Sequence, residues 1–168
     1  MISVRVVALT LAVSAAVAIA APRTASHSAL SELPDTIPLV GHWRLDLART
    51  HYGNGVDIRQ RESFICDMSG PRLRCVIRSV RHDSRELVGK FAAVPDGPPA
   101  PVVGIPDMDS VRASRPNPSL LDATFSFHGT PVFAYRAYQS RDGRSLMIVS
   151  MDPVSRAVLT TVVVYERE

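Results

Sequence analysis

Along most of this chain apolar and polar residues alternate with a period of two, in short runs. From about residue 39 onward, segments rich in Val, Ile, Phe, Tyr and Thr are divided by clusters of Gly, Pro, Asp and Ser, the pattern of strands joined by tight turns. No segment sustains helical spacing for more than about two turns. The alternation predicts strands over 41–47, 57–66, 72–80, 86–94, 109–115, 120–127, 131–139, 145–151 and 157–166. Pro95, Pro98, Pro99, Pro101 and Pro106 fall in the widest gap. Proline has no N–H to give a ladder, so 95–106 reads as a long loop or an edge. Many short strands with tight turns mean an all-β barrel or a β-sandwich.

Two hairpins carry register information. With Gly70-Pro71 at the tip of the first, facing residues sum to 141, which sets Cys66 opposite Cys75 on one face. In an oxidising compartment such a pair forms a disulfide, and the short loop it closes stabilises by roughly 2 to 3 kcal/mol on the entropic model. In the second hairpin, a two-residue Asp142-Gly143 turn pairs Gln139 with Leu146. A three-residue turn with Gly143 left-handed pairs Gln139 with Ser145. The latter groups Phe133, Tyr135, Ala137, Met147, Val149 and Met151 on one uniformly apolar face and is preferred, because a buried face specifies register most strongly. Over 57–66 the same alternation places Ile58, Gln60, Glu62, Phe64 and Cys66 inward, taking two polar residues, Gln60 and Glu62, toward the interior.

The N-terminus has a different pattern. Arg5 precedes an apolar run from Val6 to Ala21 broken only by Thr10 and Ser14, and small residues stand at Ala18 and Ala20. This is the layout of a cleavable secretory signal peptide over 1–20, too short and too Ala-rich for a membrane span. Cleavage is expected after Ala20, with 21–38 an arm or linker and 39–168 a single all-β domain, barrel or sandwich. Removing 20 of the 168 residues leaves 148, enough for one core. The mature chain is then expected to have no transmembrane segment and to work in the periplasm or outside the cell.

Charge narrows the picture little. The net charge of +3 falls to +2 when Arg5 is removed, and the remaining charges are spread along the chain, which argues against a nucleic-acid partner. Arg72, Arg74, Arg78, Arg81 and Arg85 interleave with Asp67, Asp83 and Glu86, as on a solvated strand face.

Candidate chemistry is sparse. His27, His42, His51, His82 and His128 show no metal-ligand spacing, and the adjacent His82, Asp83 and Ser84 cannot converge as a triad. Asp96, Asp107 and Asp109 supply too few oxygens for a calcium loop and fit a capped turn. No catalytic residue, metal site or cofactor signature is assigned.

Three stretches, Gly41-His42-Trp43-Arg44-Leu45, Pro101-Val102-Val103-Gly104-Ile105-Pro106-Asp107-Met108-Asp109 and Ser140-Arg141-Asp142-Gly143-Arg144, followed by Val164-Tyr165-Glu166-Arg167, run in this order along the mature chain. Together they resemble a family of small exported bacterial proteins of unknown function, and the Gly41-x-Trp43 opening resembles that of lipocalins. Cys66, Cys75 and Pro98-Pro99-Ala100 depart from the family pattern. The resemblance implies an antiparallel up-and-down, lipocalin-like barrel in which Trp43 closes the base under a basic side chain from the last strand, Arg167. Such a barrel is expected to bind a small apolar or amphipathic molecule non-covalently. The registers point to Gln60, Glu62, Phe64, Phe133, Tyr135, Met147 and Met151 as the lining. The rival reading is a structural or protein-interaction module of the envelope with a filled core; an enzyme comes third.

Overall fold

The computed structural model describes residues 37–53 and 58–168. The expected signal peptide, and the arm as far as residue 36, lie outside the described residues. Ten antiparallel strands occur among those described: β1 (Gly41–Leu45), β2 (Arg59–Ser69), β3 (Arg72–Arg81), β4 (Glu86–Ala93), β5 (Ala100–Val103), β6 (Ser110–Asn117), β7 (Leu120–Phe127), β8 (Thr130–Gln139), β9 (Ser145–Met151) and β10 (Val158–Arg167). Each pairs with its neighbours in sequence, and β10 returns to β1. The fold is an all-β, up-and-down closed barrel. Closure satisfies both edges of the sheet, and the sandwich alternative falls with it.

One end of the barrel is sealed. Trp43 is wholly buried, and its indole Nε1 donates to the Leu39 carbonyl at 2.9 Å. Ile37, Pro38 and Leu39, the first two of which the sequence assigns to the arm, are buried beside it. Trp43 pairs with Arg167 across β1 and β10, and the guanidinium carbon of Arg167 stands 4.6 Å from the ring centroid. Gly41 is needed here. Its φ is +141°, and a Cβ on it would lie 3.2 Å from both the Arg167 guanidinium and the Trp43 nitrogen.

The first hairpin has the expected register. Ser69 faces Arg72, Cys66 faces Cys75, and the disulfide Cys66–Cys75 is formed. The strand expected from 57 differs in one respect. A β-bulge between Arg59 and Arg61 shifts the alternation, so that Gln60 is exposed, donates to the His82 carbonyl and leaves Arg59 to enter the interior in its place.

The second hairpin takes the register the sequence reading set aside. Gln139 pairs with Leu146, Tyr135 with Ser150 and Ala134 with Met151. The loop is longer than either option: Gly143 donates to the Ser140 carbonyl, Ser140 donates to the Ser145 carbonyl, and Gly143 is left-handed at φ +68°. Phe133, Tyr135 and Ala137 therefore share the inner face with Leu146, Ile148 and Ser150, while Met147, Val149 and Met151 lie on the outer one. Apolarity does not select the register here, because part of the outer face is buried as well. From the loop after β9, Arg156 reaches Asp122 at 3.0 Å and Thr124 at 2.8 Å on the outside of β7, and Arg136 of β8 binds Asp122 at 2.6 and 2.8 Å. Beside this cluster the outward Ala134 and Met151 are almost fully covered.

The proline-rich gap holds a strand after all. β5 is four residues long and makes only two facing pairs with β4 and two with β6, so Pro101 interrupts a ladder that is minimal in any case.

Candidate binding cavity

Toward the end of the barrel opposite Trp43 the inward side chains leave a cavity of about 630 Å³. Its wall is largely apolar: Phe64, Ile77, Phe125, Phe133, Tyr135, Ile148 and Val163. Phe125 lies 6.0 Å, centroid to centroid, from each of Phe91, Phe133 and Tyr135, and Phe64 meets Tyr165 edge-on at 5.2 Å. These contacts make one side of the cavity a connected aromatic surface.

The segment from Gly104 to Asp109 borders the cavity, with Ile105, Pro106, Asp107 and Met108 in the lining. Two glycines shape it. Gly104, at φ +80°, passes so close to the Val88 carbonyl that a Cβ would lie 2.1 Å from the oxygen. Ile105 packs onto Gly89, where a Cβ would come within 2.5 Å of its side chain. Asp109 fastens the far end, accepting from the His128 backbone N–H at 2.7 Å and the Ser110 hydroxyl at 3.0 Å. These hydrogen bonds, with burial opposing them, hold its carboxyl below the usual range. Asp109 thus caps the turn, as its spacing suggested.

The polar part of the wall is centred on Glu62, which is 4 % exposed. Its Oε1 accepts from Arg59 at 2.6 Å and from the Tyr165 hydroxyl. Burial works against the charge of Arg59, but the carboxylate of Glu62 outweighs it, so the guanidinium holds its proton more firmly than usual. Burial, reinforced by the negative charge of Glu62, pushes the hydroxyls of Tyr135 and Tyr165 above their ordinary range, and both are neutral phenols. The Tyr135 hydroxyl has no hydrogen-bond partner among the described residues. Ser79 faces Glu62 across β2 and β3, and Ser150 faces Tyr135 across β8 and β9; both line the cavity. Among the described residues no group of three or more His, Cys, Asp or Glu side chains is arranged to hold a metal ion.

No family model, curated protein or solved structure matches this chain.

Of the side chains the sequence reading points to, Glu62, Phe64, Phe133 and Tyr135 come together in the cavity wall. Gln60, Met147 and Met151 do not: the bulge turns Gln60 out, and the β8–β9 register puts both methionines on the outer face. Tyr165 and Arg59, the two partners of Glu62, were among the polar lining residues missed. Tyr165 lies in the Val164-Tyr165-Glu166 stretch and shares the inward parity of Thr161 and Val163 on β10, a signal the alternation did carry. Arg59 had none, since only the bulge brings it inside.

Proposed function

We propose that this chain is an exported, lipocalin-like protein that holds one small apolar or amphipathic molecule non-covalently in its barrel. The observation that carries this reading is the cavity of about 630 Å³, whose size and mainly apolar surface, with polar groups set into it, match those of small-molecule sites. An interaction module with a filled core has no use for such a space. The barrel also has ten strands where lipocalins have eight, and interior width grows with strand number. The leader-like N-terminus and the Cys66–Cys75 disulfide favour a site of action outside the cytoplasm.

Titrating the mature protein with an environment-sensitive fatty probe tests binding. Saturable binding, weakened in Tyr135→Ala, is expected. No saturation with the wild type, or the same curve for both proteins, would refute the reading. N-terminal sequencing of exported protein tests its destination: it should begin at Ala21, and a start at Met1 or beyond Ser31 would contradict the leader.

A further inference from the structure

The binding reading leaves open what kind of polar end the ligand carries, and the groups around Glu62 bear on that. Both donors that reach this carboxylate, Arg59 and the Tyr165 hydroxyl, bind the same oxygen, Oε1. Oε2 accepts no hydrogen bond among the described residues. It is therefore an acceptor without a donor in the cavity wall. On β8, the Tyr135 hydroxyl belongs to the same wall, is part of a residue only 3 % exposed, and has no hydrogen-bond partner among the described residues. As a neutral phenol it can donate.

We infer that the cavity selects an apolar molecule ending in a hydroxyl, which donates to Glu62 Oε2 and accepts from the Tyr135 hydroxyl. The inference rests on the binding reading above. The two protein groups make opposite demands. An ionised carboxylate only accepts, so a ligand carboxylate offers it nothing and brings a second negative charge beside the first. An ester or ether can accept from Tyr135 but has no proton for Glu62. An ammonium can donate to Glu62 but has no lone pair for Tyr135. A hydroxyl meets both demands with one atom. Buried groups left unpaired by the wrong ligand make such a site discriminate more sharply than an apolar wall does.

The second arginine of the lining, Arg81, has an interaction of its own, and Arg59 does not reverse this preference. Its charge is already engaged by Glu62, and drawing it toward a ligand carboxylate would strip the buried acid of its counter-ion. The aromatic wall formed by Phe64, Phe125 and Phe133 takes the ligand's body without regard to which head group it carries.

The test is displacement of a neutral apolar dye, Nile red, from the mature protein by a matched set with one alkyl chain: the alcohol, the carboxylate, its methyl ester and the amine. The alcohol should displace the dye at least about tenfold more effectively than the carboxylate or the ester. In Glu62→Gln the carboxamide can donate, so the penalty on the carboxylate should largely vanish. In Tyr135→Phe, which keeps the ring, the alcohol should lose several-fold relative to the amine, which accepts no hydrogen bond from Tyr135. Denaturation midpoints identify any variant that fails to fold; Tyr135→Phe, close to isosteric, then carries the test. Equal displacement by all four compounds, or preference for the carboxylate, overturns the hydroxyl inference and leaves binding intact. Failure of the dye and of all four compounds to bind overturns both.

Discussion

A carboxylate inside an apolar barrel stays charged only if donors hold it there. Glu62 has Arg59 and Tyr165 on one oxygen. Replacing Arg59 with Met removes a charged partner and should lower stability by about 2 to 4 kcal/mol, whereas the double change Arg59→Met with Glu62→Met should recover most of the loss, because neither charge is then stranded. Denaturant midpoints of the four proteins complete the cycle; additive losses would mean that the pair is not coupled. At the sealed end, Gly41→Ala has to adopt φ +141° within 3.2 Å of Arg167 and should lose about 1 to 3 kcal/mol. The chain's single tryptophan is Trp43, so intrinsic fluorescence follows this site, and an unchanged unfolding midpoint would count against the strain.

Two elements are fastened in ways that can be measured. The β2–β3 hairpin is tied by Cys66–Cys75 near its tip, away from the cavity lining. Cys66→Ser should lower stability by roughly 2 to 3 kcal/mol and leave probe affinity unchanged; a parallel loss of affinity would show that the hairpin shapes the cavity. The loop after β9 is held through Asp122, which is bound by Arg136 and Arg156. Burial alone would raise the Asp122 carboxyl, but the two guanidinium groups outweigh it and the net direction is down. A carboxyl depressed in the folded state contributes stability that is fully present above its unfolded value of about 3.9 and is lost as pH falls through the folded value. Asp122→Asn should therefore be less stable at neutral pH by about 2 kcal/mol, since both arginines are about a third exposed and solvent screens part of the loss. Below pH ~4 its stability should approach that of the wild type; profiles that run parallel down to acid would contradict the ion-pair role. This cluster also shows what the sequence could and could not disclose. The Gly70-Pro71 tip set the Cys66–Cys75 register, and alternation located nine strands. It misjudged β8–β9, because Ala134 and Met151 are buried outside the barrel, and two apolar faces cannot be ranked by apolarity. It passed over β5 because four residues around a proline leave no period to read. The bulge that exchanges Gln60 for Arg59 has no counterpart in the local pattern.

At the scale of the whole molecule, closure and the cavity are one result. Ten strands joined edge to edge leave no free ladder, seal one end around Trp43, and enclose more width than the aromatic side chains fill. The resemblance implies a barrel, and the ten strands form one, with Trp43 and Arg167 together at its sealed end. No feature of the sequence could give the interior volume, which depends on how ten inward rows meet across the barrel. The role proposed for this volume is to hold a ligand. The most direct measurement is a crystal structure of the mature protein grown with a chain-brominated fatty alcohol, read from the anomalous signal of the bromine. The expected result is bromine density inside the barrel beside Phe64, Phe125 and Phe133, with the ligand oxygen between Glu62 and Tyr135. A barrel whose interior is filled by its own side chains, or bromine found only on the outer surface, would contradict it.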